Sequence, residues 1–292
     1  MPFTHTRTFH VRHYECDGYG HVNNANYLHY MQEAAFDASA AAGFGLDRYN
    51  EMNRVWLVRD TDIEYSQPLK YGDSVEVKTW VADFRKVRSR RAYEMRNAAT
   101  GELVAKAMTD WAFLNLDTLR PAAIPDELIR GFFPDDEPED IPPRTKFPTQ
   151  PEPPQGVFLL RRRVEWRDID PMKHVNNATY LSYMDDAAFE IGRAHGWPAE
   201  RYIAEGFVVL VRGHRIEYLQ PATMDDELEI STWVSDLRHV TGIRHYAIRR
   251  LADGELLARA SSRVAWVNLS TGRPARIPEH FVADFADNIV AV

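Results

Sequence analysis

The chain has 292 residues, room for about two domains of ordinary size, and its 45% apolar composition supplies a core for each. Its 35 Lys and Arg against 43 Asp and Glu give a formal charge of −8, so no nucleic acid or anionic membrane partner is expected and an anionic ligand must meet a local basic patch. Cys16 is the single cysteine, which excludes an intramolecular disulfide and cysteine-rich zinc patterns; with no apolar leader and no run of about twenty apolar residues, the expectation is a cytoplasmic protein without a membrane span.

The chain repeats itself. His21-Val22-Asn23-Asn24-Ala25 returns as His174-Val175-Asn176-Asn177-Ala178, an offset of 153 that also aligns Ile63-Glu64-Tyr65 with Ile216-Glu217-Tyr218 and Thr79-Trp80-Val81 with Thr232-Trp233-Val234. From Val11 to Pro125, 53 of 115 positions are identical without an insertion. So long a period makes each copy a whole domain, or half of a pseudo-dimer, rather than a solenoid unit.

In chain order, residues 5–14 are β-rich. Asn24 to Ala42 then carries Tyr27, Tyr30, Met31, Ala34, Ala35 and Ala38 at helical spacing, closed by Gly43. Leu28, Phe36 and the alanines make this helix apolar around much of its circumference, which predicts a helix enclosed by sheet. Segments 54–65, 74–84, 87–97 and 102–116 are the sheet, with period-two alternation at Val75, Val77, Thr79 and Val81 and hairpin turns at Thr100-Gly101 and Asp253-Gly254. Residues 126–156 hold eight prolines and the acidic run Asp135-Asp136-Glu137 and read as an extended linker. The expected organisation is a domain at 1–125, a linker at 126–156 and a domain at 157–292. The expected class is α+β: a tandem, double hot-dog fold, each copy a curved antiparallel sheet around one long helix, the two paired as a pseudo-dimer that could associate further.

Asp17-Gly18-Tyr19-Gly20-His21-Val22-Asn23-Asn24-Ala25-Asn26-Tyr27 resembles the Asp-x-x-Gly-His-Val-Asn-Asn-x-x-Tyr signature of hot-dog thioesterases of the 4-hydroxybenzoyl-CoA thioesterase type. The second copy, Asp170-Pro171-Met172-Lys173-His174-Val175-Asn176-Asn177, is similar to the corresponding stretch of the acyl-acyl-carrier-protein thioesterases, which are themselves tandem hot dogs. The resemblance implies hydrolysis of an acyl-CoA or acyl-carrier-protein thioester. Two departures accompany it. Where plant members carry an asparagine two residues before the histidine, this chain has Tyr19 and Met172, and where they carry a cysteine, Ala222 stands, so neither an Asn-based nor a Cys/His mechanism is carried over. Lys173 also replaces the motif glycine, leaving the first copy nearer the single-domain pattern.

Attack on a thioester makes an oxyanion, which backbone N–H groups at a helix start, near Asn24 and Ala25, can stabilise, and a thiolate leaves with little acid assistance. What remains is a carboxylate acting as general base or nucleophile: Asp17 as the principal group and Asp170 as a second or degenerate one. His21 and His174 orient the carbonyl or water, and Asn23, Asn24, Asn176 and Asn177 cap the helices and shape the substrate loop. Glu64 and Glu217 read as strand charges that could position water, and Cys16 as packing. Arg88 and Arg90, in the densest basic run, are the candidates for the phosphates of coenzyme A or phosphopantetheine, against the plainer reading of a solvated hairpin. No metal or cofactor is implied. A hot-dog hydratase or dehydratase and a non-catalytic acyl-CoA binding module are the competing functions.

Overall fold

The computed structural model describes residues 2–134 and 143–290. The chain divides into two compact units, residues 1–146 and 147–292. Unit 1 contains β1 (Thr4–His10), α1 (Asn24–Ala41), α2 (Leu46–Glu51), β2 (Arg54–Tyr65), β3 (Ser74–Arg85), β4 (Arg88–Asn97), β5 (Leu103–Asn115) and α3 (Asp126–Phe132). Unit 2 repeats the series as β6 (Phe158–Arg163), α4 (Thr179–Ala194), α5 (Ala199–Ala204), β7 (Phe207–Tyr218), β8 (Glu227–Ser235), β9 (Thr241–Arg250), β10 (Leu256–Asn268) and α6 (Glu279–Asp284).

In unit 1 the strands lie in the order β1-β3-β4-β5-β2, and in unit 2 in the equivalent order β6-β8-β9-β10-β7, every neighbouring pair antiparallel. Alternation explains the pairing. Val75, Val77, Thr79 and Val81 on β3, and Leu228, Ile230, Thr232 and Val234 on β8, are all buried on one face of their sheets. The β4–β5 and β9–β10 turns use Gly101 and Gly254, both at φ 72°, a conformation a side chain resists.

The long helix of each unit packs on that face. Tyr27, Tyr30, Met31, Ala34 and Ala38 of α1 are buried, as are Tyr180, Tyr183, Met184, Ala187 and Ile191 of α4. Contrary to the expectation from their composition, the helices are not enclosed all round. Phe36 and its copy Phe189 are 40% and 53% exposed, because at 3.6 residues per turn they fall opposite the buried stripe.

The segment expected as a linker contains one short helix and residues that pack on each unit. Residues 126–132 form α3, whose Leu128 and Phe132 are buried with Phe44, Tyr49 and Phe113 in the core of unit 1. In unit 2, α6 is its copy, with Phe281 and Phe285 buried among Ile191, Trp197 and Trp266. Arg144 pairs with Asp83 in unit 1; in unit 2, Phe147 is buried under Arg215 and Arg259, and Gln150 donates to the carbonyls of Tyr246 and Ala260. The acidic run 135–137 lies outside the described residues.

Candidate active site

Each helix is preceded by a tight loop folded on itself through one backbone bridge, Cys16 to Val22 in unit 1 and Ile169 to Val175 in unit 2. Both loops begin at a single 3-10 turn that ends on a buried acid, Glu15 or Asp168. Glu15 Oε2 accepts from the Arg12 amide at 2.7 Å and from the Tyr30 hydroxyl at 2.8 Å, while its carbonyl accepts from the Asn23 amide and the Asn26 side chain, each at 2.9 Å. Asp168 repeats this frame: Oδ2 accepts from the Glu165 amide at 2.9 Å and its carbonyl from the Asn176 amide at 2.9 Å. Burial and then the neighbouring acid push both Tyr30 and Tyr183 well above the ordinary phenol range. These two acids went unrecognised in the sequence, although the repeat places an acid at the same offset in each copy.

Two residues on, the loops present the predicted carboxylates. Asp17 is exposed, and its Oδ1 accepts from the amides of Tyr19 (2.9 Å) and His21 (3.1 Å). Asp170 Oδ1 accepts from the Met172 amide at 2.8 Å and stands 3.6 Å from Nδ1 of His174. The side chains of Asp170 and His174 are 16% and 20% exposed, so this carboxylate and imidazole face each other in a partly desolvated setting, a pairing that Asp17 and half-buried His21 do not form.

Gly20 holds its loop at φ 76°, and Lys173 takes the same left-handed conformation at φ 65°. Backbone geometry therefore persists where the glycine does not, at a cost of about 1–2 kcal/mol for a residue with a Cβ.

The helix starts are capped as expected. Asn23 Oδ1 accepts from the Ala25 amide and Asn176 Oδ1 from the Ala178 amide, each at 2.9 Å. Capping commits the Ala25 amide, contrary to its expected role as an oxyanion donor. The amides of Asn24 and Asn177 carry no hydrogen bond among the described residues. The Asn177 carbonyl accepts from the Tyr218 hydroxyl at 3.0 Å, which fixes that peptide.

The basic run is spent inside unit 1. Arg90 is 6% exposed and forks onto Asp83 through Nε (3.2 Å) and Nη2 (3.1 Å). Arg88 pairs with Asp110 at 2.9 Å, and Arg144 joins both acids. Burial alone would raise the pKa of Asp83, but the hydrogen bonds and charges of Arg90 and Arg144 outweigh it and hold the carboxyl below its ordinary value. Arg90 is thus held in internal ion pairs because register sets Asp83 and Asp110 opposite it, while Arg88 keeps a 47% exposed side chain beside Asp110. Glu217 is likewise matched, by Arg259 at 2.7 Å, while Glu64 is exposed and Cys16 half-buried. Among the described residues no three His, Cys, Asp or Glu side chains gather as around a metal ion, and no helix is long and apolar enough to cross a membrane.

A long helix on a five-stranded antiparallel sheet, with a carboxylate-bearing loop ahead of the helix, defines each unit as a hot-dog domain. The comparisons with known proteins agree. Residues 2–132 match the family described as the acyl-ACP thioesterase N-terminal domain, where ACP is acyl-carrier protein, and residues 164–285 match the thioesterase-like superfamily. Both units therefore resemble the hot-dog acyl thioesterases in sequence as well as fold. More particularly, the chain is 26% identical over 281 residues to a chloroplastic acyl-[acyl-carrier-protein] hydrolase of Cuphea viscosissima, covering 93% of this chain and 65% of that one. It is 25% identical over 273 residues to a chloroplastic palmitoyl-acyl carrier protein thioesterase of Gossypium hirsutum, covering 88% and 63%. The chain thus spans less than two thirds of the length of these curated relatives. The fold is shared with the 12:0-ACP thioesterase of Umbellularia californica (TM-score 0.70, 22% identity, 90% of this chain and 94% of that one). It is shared equally with an acyl-ACP thioesterase of Bacteroides thetaiotaomicron (TM-score 0.70, 21% identity, 89% and 97%).

Proposed function

We propose that the chain hydrolyses acyl thioesters, with Asp170 as the reacting carboxylate, and that an acyl-carrier protein bears the substrate in preference to coenzyme A. The observation that carries the reading is the Asp170–His174 pair, 3.6 Å apart and mostly withdrawn from water. Motif spelling favours Asp17; side-chain geometry supports Asp170 instead. A carboxylate in this setting either takes a proton from the attacking water or attacks the carbonyl carbon itself. His174, held beside it, orients the water or the thioester carbonyl. As the tetrahedral intermediate forms, charge collects on the carbonyl oxygen, and the uncommitted Asn177 amide is the donor available at the helix start. The thiol then leaves, giving the free acid directly on the general-base route; on the nucleophilic route it leaves an acyl-Asp170 anhydride that water hydrolyses to the free acid and the regenerated carboxylate. Asp17, exposed and held by two backbone amides, serves chiefly to shape its loop. The carrier preference rests on the names of the relatives and on the first family match. The single cysteine supports a reducing, cytoplasm-like compartment.

The test measures thiol release from a panel of acyl-ACP and acyl-CoA substrates. Asp170→Asn should lower kcat/KM by about 10²–10⁴-fold with an unchanged melting temperature, and Asp17→Asn by less than about tenfold. Full activity in Asp170→Asn refutes its role. Product without free thiol refutes hydrolysis. Higher kcat/KM on acyl-CoA across the panel refutes the carrier preference.

A further inference from the structure

The β8–β9 hairpin and the segment entering α6 line an open surface pocket of about 550 Å³. Its polar lining is Arg238, His239, Arg276 and Glu279, over a floor that includes Leu237 and Ile277. Leu237 packs with Ile277 on the cluster around Ile191 and Trp197 at the C-terminal end of α4. The Asp170 loop precedes the other end of that helix, and 16 residues of helix span about 24 Å. The pocket is therefore separate from the candidate active site.

Its charges are uncommitted. Among the described residues neither Arg238 nor Arg276 forms an ion pair, and neither does Glu279. The arginines of unit 1 at 85, 88, 90 and 144 all face carboxylates. Nor is the arrangement a product of the repeat. Arg85 occupies the position of Arg238 but lies 3.6 Å from Asp83, and Ala123 stands where unit 2 has Arg276. Backbone bonds set the loops that carry the basic groups: the Ile277 amide donates to the His239 carbonyl at 2.9 Å and the Arg238 amide to Thr241 at 2.7 Å.

Two guanidinium forks and an imidazole set against one carboxylate leave an excess of positive charge, in a form that matches the oxygens of a phosphate. The volume far exceeds that of a bare phosphate, and the apolar floor accommodates an organic group beside it. The geometry points to a binding site in unit 2 for a phosphate monoester, separate from the site of hydrolysis. Arg238 and Arg276 hold the phosphate oxygens, and Leu237 and Ile277 meet the organic portion.

Isothermal titration of the whole chain with inorganic phosphate and with adenosine 3′,5′-bisphosphate tests this, with adenosine as the uncharged control. One saturable site is expected for at least one phosphate probe and none for adenosine. The affinity should fall at least tenfold in Arg238→Ala and in Arg276→Ala, and stay unchanged in Arg212→Ala, an exposed arginine outside the pocket. Tighter binding of the bisphosphate identifies an organic ester as the occupant, and equal affinities identify the phosphate group alone; both support the site. Absence of saturable binding, or an affinity unaltered in the double arginine variant, overturns it. Binding that vanishes in Asp170→Asn instead also overturns it, by moving the phosphate to the hydrolytic loop. Because no thioester is present, the outcome is independent of whether the chain is a hydrolase.

Discussion

Replacing Asp83 by alanine isolates the internal charge network of unit 1. The Asp83 side chain is 1% exposed and that of Arg90 7%, and two of the guanidinium nitrogens of Arg90 point at this one carboxylate. Removing the acid leaves a guanidinium buried without its counter-ion, and breaking a buried pair in this one-sided way costs about 3–5 kcal/mol. Against a typical total stability of about 5–15 kcal/mol this is a large fraction, equivalent to a fall in melting temperature of roughly 6–20 °C for a unit of this size. Hydrogen exchange of the β3 and β4 amides reads unit 1 by itself, so the assay does not depend on the whole chain unfolding in one step. Removing both charges in Asp83→Leu with Arg90→Met should recover most of the loss, since no unpaired ion remains. The pH dependence has a definite sign. The folded-state pKa of Asp83 is depressed, so its contribution is complete above the ordinary carboxylate range, near pH 4, and is lost as pH falls through the folded value. The gap between parent and Asp83→Ala should therefore close on strong acidification. A variant within about 1 kcal/mol of the parent at neutral pH would falsify the claim that Arg90 depends on this acid.

Other consequences can be measured separately. Burial lowers His214 to about 3 and His245 to about 4, so both are neutral in the fold, and unit 2 should lose stability as pH drops below about 6.5; a flat urea midpoint between pH 6.5 and 4 contradicts this. Lys173→Gly should raise stability by about 0.5 kcal/mol, the relief of left-handed strain less the entropy of glycine, and a loss in thermal melts would show that the lysine side chain matters more than its φ. Gly156→Ala sets a Cβ 2.6 Å from the Asp287 carbonyl oxygen and should cost about 1–3 kcal/mol by denaturant titration, an effect absent if that contact relaxes freely.

Much of the fold was legible because two periodicities and a repeat agree. Alternation at Val75–Val81, helical spacing at Tyr27–Ala38 and glycines at 101 and 254 each mark an element that the structure contains. The short helices were harder to see. Pro125 and Pro278 stand at the starts of these helices, where a missing N–H costs nothing. The overlooked signal was the repeat itself, which continues through Ile124-Pro125 and Phe132 to Ile277-Pro278 and Phe285. Among the site residues, Asp17 and Asp170 lie on the expected loops, but spelling did not distinguish their surroundings. The enclosure of Asp170 beside His174 is a property of side-chain packing, and motif identity carries no measure of exposure. Arg90 is buried rather than at the surface for a related reason, while Arg88 stays 47% exposed beside Asp110. Asp83 and Asp110 are remote from them in a linear reading in one case and close in the other, yet only strand register reveals that both acids are neighbours.

Gly20 and Lys173 show one left-handed turn held by two different residues. A duplicated domain inherits the path of its chain as a whole, while residues are exchanged singly, so a bend created for one amino acid can outlive it when the flanking bonds keep the old shape. The two copies thus share the contour of one turn while differing in the residue that occupies it, and their room to differ lies in what projects from that contour.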